Sequence, residues 1–286
     1  MITITAATGQ LGRLVIDDLL DRGVPAAEIT AAVRSPEKAA DLAARGVRVV
    51  EADYARPETL VSAFAGTDRL LFISGSELGQ RVEQHKNVVD AARTAGVGLL
   101  VYTSAPKADT SSLQLATEHL ATERAIEASG LPFVILRNGW YLENYTGTLA
   151  QTLQSGAVLG AAGDGRVSAA ARADLAAAAA AVLVDPAPAA GTVYELGGDE
   201  AFTMAELAAE ISRQSGTAVS YRDLPVDEYT QLLVSFGLPT PVAAVIADSD
   251  RGLGVGDLYV ETGDLRRLIG RPPVGLADAV AAALKA

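Results

Sequence analysis

Cysteine is absent from all 286 residues, which removes disulfides, thiolate nucleophiles and cysteine-ligated metals from consideration. Histidine is almost as scarce. His85 and His119 are the only two, far apart and without metal-site spacing, so no metal is expected. Lysine occurs only at Lys38, Lys86, Lys107 and Lys285, and the formal net charge is −12. An acidic chain without a basic run is repelled by phosphate backbones, so no nucleic-acid partner is expected. No charge-free stretch approaches the length of a membrane span, and no charged segment leading into an apolar core opens the chain. The expectation is a cytoplasmic protein with no membrane contact. Hydrophobic residues, by contrast, make up 49% of the sequence, enough to bury a full core.

That hydrophobic content is distributed as alternating strands and helices, the pattern of a doubly wound parallel sheet. Strands are expected at Ile2–Thr5, Glu28–Val33, Val47–Val50, Arg69–Ile73, Leu99–Ser104 and Phe133–Arg137. Helices are expected over Pro57–Phe64, over Leu78–Ala95 closed by Gly96, and from about Leu115 to Ser129. The chain reads as a Rossmann-type α/β domain over residues 1–150. A smaller α/β substrate-binding region over 151–286 follows, with parts of it packing back on the sheet. In that region the alanine-rich run Ala169–Ala181 reads as a packed helix, Tyr194–Gly197 as a strand and Met204–Ser215 as a helix. Leu238–Pro241 reads as a rigid turn, and Arg251–Asp257 as a flexible loop free to move over a cleft.

The first strand runs into Ala6-Ala7-Thr8-Gly9-Gln10-Leu11-Gly12. A pyrophosphate needs backbone N–H groups at a helix N-terminus with no side chains in its way, and this turn can supply both. Glycine at position 6 would complete the three-by-three spacing of a dinucleotide site. Ala6 stands there instead, and its Cβ asks for a negative φ at the turn.

The second strand settles which nucleotide. An acidic residue at its end would bind the ribose 2′-hydroxyl, whereas arginine accommodates a 2′-phosphate. Val33 is followed by Arg34, with Lys38 one turn further on, so NADP(H) is the expected cofactor. No tyrosine has a lysine four residues later; Tyr102 is followed at that spacing by Pro106. Alcohol–ketone interconversion by a tyrosine–lysine pair is therefore disfavoured.

Together with Asp53-Tyr54, Tyr102-Thr103-Ser104, the run Arg137 to Tyr145, Gly160 to Gly165, Arg172-Ala173-Asp174 and Val193 to Leu196, these segments resemble the NmrA-like branch of the atypical short-chain dehydrogenases. Within that branch they are similar to the bacterial NADPH:quinone oxidoreductases of type 2, nearly end to end. The resemblance implies an NADPH-dependent quinone reductase. Gly9, Gln10 and Leu11 would line the pyrophosphate and Arg34 would hold the 2′-phosphate, with Ala6, Thr8, Gly12, Lys38, Asp53 and Tyr54 also at the cofactor. Ser74, Gly75 and Ser76 would border the ribose and nicotinamide. Asn138, Gly139, Trp140, Tyr141, Leu142 and Glu143 would close the nicotinamide side, with Arg172 facing the same cleft. Two departures from the family pattern are Ala6, for the first glycine, and Gly75, for a serine, which is expected to loosen its loop.

Candidate donors to the substrate are Asn144 and Tyr145, which follow the sixth strand where open α/β sheets form their sites; helix capping and packing are their plainer roles. His119, next to Glu118, is a candidate proton relay, while His85 reads as helix packing and Lys107 as a loop residue. Two alternatives remain open: a non-catalytic NADP(H) sensor, and a reductase of another conjugated acceptor such as an azo dye, a triphenylmethane dye or an enone. The chain suits a monomer or a homodimer.

Overall fold

The computed structural model of the chain describes residues 1–77 and 79–285. Its main sheet has seven strands in the order β3-β2-β1-β4-β5-β6-β8. These are β1 (Ile2–Thr5), β2 (Ile29–Val33), β3 (Arg48–Glu51), β4 (Arg69–Phe72), β5 (Leu99–Ser104), β6 (Phe133–Asn138) and β8 (Thr192–Leu196). β1 pairs in parallel with both β2 and β4, so Ile4 lies between Ala31 and Leu71. Every residue of β2 and β5 is buried, as expected of strands covered on both faces. The strand order reverses between β1 and β4, and the carboxyl ends of such a pair form the crevice in which open α/β sheets bind ligands.

Connecting helices are α1 (Gln10–Asp21), α2 (Ala40–Ala44), α3 (Pro57–Ala63), α4 (Arg81–Ala95) and α5 (Gln114–Ala128). Gly96, at φ 69°, ends α4 as expected; the expected first residue of that helix, Leu78, lies outside the described residues. Further on come α6 (Glu143–Thr146), α7 (Leu149–Ser155), β7 (Ala157–Gly160), α8 (Arg172–Val184), α9 (Met204–Ser215), β9 (Ser220–Asp223), α10 (Val226–Ser235), α11 (Thr240–Gly254), α12 (Asp264–Ile269) and α13 (Leu276–Ala283). β7 and β9 pair in parallel as a separate two-stranded sheet. α9 opens with a capping box between Thr203 and Glu206, which satisfies two otherwise orphaned N–H groups.

The chain forms two compact units: residues 1–105, 118–138 and 173–194 in one, and 106–117, 139–172 and 195–286 in the other. The expected single cut near residue 150 is replaced by interleaved segments. The first unit is centred on Phe64, Phe72, Leu100 and Tyr102. The second is centred on Leu142, Phe202, Met204 and Leu253.

Three expectations for the carboxyl-terminal part need correction. Ala169 to Ala171 are not helical, because the N–H of Ala170 donates to the Trp140 carbonyl and its own carbonyl accepts from Leu142. This pairing overrides alanine's helix propensity, and α8 begins only at Arg172. Thr240 and Pro241 open α11 behind Pro239 rather than completing a turn. Residues 251–254 are not a free loop but the end of α11. Arg251 donates to Ser112 and Asp248, and Asp257 accepts from Ser112. Gly252 is packed so tightly that a Cβ would lie 2.2 Å from Leu113.

Candidate functional site

The turn after β1 is built to leave amides bare. Gly9 caps α1 without any side-chain hydrogen bond, and no acidic residue lies in the first turn. The N–H groups of Gln10, Leu11 and Gly12 are thus the orphan donors of a helix N-terminus, carrying its positive partial charge. Gly12 must lack a side chain, since a Cβ would lie 2.7 Å from the Ala6 carbonyl and 2.8 Å from Ala7 Cα. Thr8 gives its carbonyl to Arg13 at 3.3 Å, and the Leu11 side chain turns into the core. Ala6 does not take the expected negative φ. It lies at +48°, and its carbonyl accepts the N–H of Gly9 at 2.9 Å. The turn geometry dictates the left-handed conformation, and alanine carries the steric cost that glycine would avoid.

At the end of β2, Arg34 is exposed and donates through Nη1 to Glu77 Oε1 at 2.7 Å. Lys38 is also exposed; its carbonyl accepts from Arg13 Nη2 at 3.1 Å. Beyond β3, Asp53 accepts from the Ala55 N–H at 3.0 Å and from Arg56 Nε at 3.3 Å, so its carboxylate shapes its own turn. Tyr54 reaches across the sheet edge. Its hydroxyl lies 2.5 Å from Thr5 Oγ1 and 2.7 Å from the Ile73 carbonyl, bracing the ends of β1 and β4. Burial pushes this phenol's pKa up, so it stays a hydrogen-bonding group.

The segment after β4 is not the loose loop expected from glycine at position 75. The Ser74 N–H donates to Thr103 Oγ1 at 2.9 Å, and the Gly75 N–H to His85 Nε2 at 2.9 Å. The Gly75 carbonyl accepts from Arg81 Nε at 2.9 Å. His85 and Arg81 carry no recognisable motif, and Thr103 belongs to the Tyr102–Ser104 segment without any sign there of this bond. Their role is visible only once α4 and β5 place them beside the turn.

Below this turn, the Tyr102 hydroxyl lies 2.7 Å from His119 Nδ1. His119 is 4% exposed, and burial followed by the nearby Arg81 charge holds its pKa well below 6.5. In its neutral form the imidazole has one donor and one acceptor nitrogen, and Nδ1 is the one that faces the Tyr102 hydroxyl.

Asn138, at the end of β6, is 7% exposed, and its Oδ1 has no hydrogen-bond partner among the described residues. A buried acceptor left open costs free energy unless a ligand or water satisfies it. In the second unit, Gly139 donates to the Leu196 carbonyl at 2.7 Å. A Cβ at Gly139 would lie 2.6 Å from that same oxygen. Trp140 packs against the second core, and Leu142 is buried within it. The Glu143 carboxylate accepts the N–H of Arg172 at 2.9 and 3.1 Å, at the start of α8. The Arg172 guanidinium stands 4.7 Å from the Tyr141 ring centre, a cation–π distance.

Asn144 is exposed, whereas Tyr145 turns inward with its ring 5.8 Å from Phe202. The Tyr145 hydroxyl is buried without a hydrogen-bond partner among the described residues, and burial raises its pKa well above 10. Asp250, unremarkable in sequence, accepts the Ala161 N–H at 2.9 Å, while the Tyr221 hydroxyl accepts that of Ala162 at 2.9 Å. Burial pushes the Asp250 carboxyl up to about 6, against the pull of the Ala161 bond and with Asp223 reinforcing it.

The first unit thus offers a nucleotide three kinds of group at one sheet edge: bare helix amides, an exposed arginine and an orphaned buried acceptor. Comparison with known proteins agrees. Residues 6–186 match an NAD(P)H-binding family. Quinone oxidoreductase 2 of Escherichia coli strain K12 is 49% identical over 280 residues, 98% of this chain and 97% of that protein. The crystal structure of the E. coli NADPH-dependent quinone oxidoreductase complexed with NADPH superposes with a TM-score of 0.97 at 48% identity, covering 99% of this chain and 100% of that one. The Citrobacter sp. triphenylmethane reductase complexed with NADP(H) gives a TM-score of 0.94 at 40% identity, covering 99% and 100%. An NmrA-like family domain-containing oxidoreductase of Aspergillus flavus is 30% identical over 287 residues, 97% of this chain and 92% of that protein. The chain therefore belongs to the NAD(P)H-binding family, among its NmrA-like reductases and alongside the bacterial quinone oxidoreductase 2.

Proposed function

We infer that this chain is an NADPH-dependent quinone oxidoreductase. The near full-length 49% identity to Quinone oxidoreductase 2 carries the reading, and the bare N-terminus of α1 beside Arg34 supports it. Bound NADPH supplies the hydride. The chain's own residues supply the rest. The amides of Gln10, Leu11 and Gly12 hold the pyrophosphate. Arg34, with Lys38 behind it, leaves Glu77 to pair with the 2′-phosphate, and Asn138 Oδ1 accepts a donor from the nicotinamide end. Asn144 and Tyr145 are the candidate donors to the quinone oxygen on which negative charge grows.

No lysine partners a tyrosine in this scheme. Tyr102 is committed to His119, and Lys107 Nζ donates to the Gly256 carbonyl at 2.9 Å. That arrangement suits an acceptor whose reduction needs no strong acid. A monomer and a homodimer both suit this reading. No helix among the described residues is long and apolar enough to cross a membrane, and we place the enzyme in the cytoplasm.

The test is loss of reduced-nicotinamide absorbance with a simple benzoquinone as acceptor, run with NADPH and then NADH. Turnover favouring NADPH is expected. Turnover with a triphenylmethane dye but not with quinones would move the reading to the activity of the Citrobacter relative. Tight NADPH binding without turnover on either acceptor would make the chain a sensor.

A further inference from the structure

We propose that His85 is a positioning residue that fixes the Ser74–Ser76 turn against the nicotinamide half of the cofactor; the proposal rests on the NADPH reading above. The geometry starts from a group with one possible role. The backbone N–H of Gly75 can only donate, and it meets His85 Nε2 at 2.9 Å. Nε2 must therefore be unprotonated, which places the ring hydrogen on Nδ1. Nδ1 lies 2.8 Å from Thr122 Oγ1, and the Thr122 hydroxyl donates onward to the Glu118 carbonyl at 3.0 Å. The protonated Nδ1 thus donates to Thr122 Oγ1, with the Tyr102 hydroxyl 3.5 Å from the same nitrogen. The Gly75 N–H and the Thr122 hydroxyl on α5 agree on one tautomer.

The ring is also held in place sterically. It is 1% exposed and is met edge-on by Phe72 at 4.7 Å, Tyr102 at 5.7 Å and Tyr54 at 6.2 Å between ring centres. Burial, with the Arg81 charge adding to it, lowers its pKa to about 3. The imidazole therefore stays an acceptor throughout the neutral range. Arg81, the nearest charge, is itself engaged by Glu118 and the Gly75 carbonyl. The turn that these groups hold leaves β4 at the strand-order reversal, opposite the amide-bearing turn after β1. A dinucleotide whose pyrophosphate lies on α1 and whose 2′-phosphate lies at the end of β2 extends its other half toward β4.

Two polar substitutions separate the corners of the ring. His85→Gln places a carbonyl oxygen where Nε2 was, and His85→Asn places one near Nδ1 and leaves the Gly75 N–H without an acceptor. Titration with NADPH and with adenosine 2′,5′-bisphosphate reads the two halves of the cofactor separately. The Asn variant should bind NADPH about three- to tenfold more weakly, the span of one neutral hydrogen bond, and bind the bisphosphate as the wild type does. The Gln variant should recover NADPH binding. Equal losses for both ligands, or none in the Asn variant, would overturn the proposal. Should either variant fail to fold, the Gly75 amide resonance of the wild-type protein decides: it should shift with NADP⁺ and not with the bisphosphate, and the reverse overturns the assignment. Wild-type protein that binds the bisphosphate but not NADPH would instead defeat the cofactor reading itself.

Discussion

Arg34 Nη1 donates to Glu77 Oε1 at 2.7 Å, and the second oxygen of Glu77 accepts from Gln84 Nε2, also at 2.7 Å. The side chain that would select a 2′-phosphate is thus engaged by a carboxylate which that phosphate must displace. Arg34→Ala should weaken NADPH binding by ~1.5–3 kcal/mol, the range for a hydrogen bond to a charged group, and leave NADH nearly unchanged. Glu77→Gln should act the other way. The pair is solvent-exposed and worth ~0.2–1 kcal/mol, so NADPH affinity should rise by up to about fivefold. Parallel titrations of NADPH and NADH measure both, and equal shifts for the two cofactors would remove Arg34 from the phosphate.

Ala6, at φ +48°, should tolerate glycine with benefit. Ala6→Gly relieves left-handed strain of ~1–2 kcal/mol per residue, partly offset by the entropy of a freer unfolded chain. The melting temperature should rise and NADPH binding should hold. Gly12→Ala should abolish binding and lower stability, because its methyl meets backbone rather than a movable side chain. A destabilised Ala6→Gly variant would contradict the turn geometry.

How much of this was legible beforehand depends on the range of the interaction. The strand-turn-helix at residues 2–21, the absence of an acidic residue after β2 and the bounds of α9 are local, written in period, spacing and capping. The fold was legible in the alternation of strands and helices, the cofactor in the glycine turn and Arg34, and the family in the Asn138–Tyr145 and Gly160–Gly165 blocks. What sequence did not reveal is set by distant contacts. His85 shows an ordinary helical context and meets Gly75 only because α4 packs beside β4. Asp250 carries no motif, yet it holds the Ala161 amide from 89 positions away. Residues 251–254 read as loop because of their glycines, but Leu113 packs directly on Gly252 and keeps that stretch helical.

Tyr145→Phe makes two opposed predictions. Its hydroxyl is buried without a partner among the described residues, so removing it should leave stability equal or higher. The same change should lower kcat with a quinone about three- to tenfold, the value of one neutral hydrogen bond, with the KM for NADPH unmoved. Calorimetry and steady-state kinetics on one preparation check both. Unchanged kcat would return Tyr145 to simple packing against Phe202.

Asp250 gives a pH signature. Its carboxyl is raised from 3.8 to about 6, so the folded state holds the proton more tightly than the unfolded chain. The associated stability is fully present below about pH 4 and is lost as pH rises through about 6, on the order of 3 kcal/mol in total. Asp223, Tyr145, Tyr221 and Tyr229 are titratable groups around it, and the tyrosines remain neutral across that window. Asp250→Asn, which keeps an acceptor for the Ala161 amide, should flatten this slope and be more stable than the parent at neutral pH. Denaturant titrations from pH 4 to pH 8 would show it. Parallel curves for parent and variant would exclude Asp250 as the source.

The interleaving of the two units limits how this protein can be divided. A scissile site at residue 150 would part the chain without isolating either body, because each fragment would carry pieces of both. The amino-terminal fragment would lack α8, whose Leu183 and Ala177 carbonyls accept from Arg69 and Arg22, and it would lack β8 at the end of the sheet. Neither body is therefore a portable cassette. The nucleotide platform cannot be grafted onto another enzyme as one contiguous stretch, because its three segments are separated by pieces of the other body.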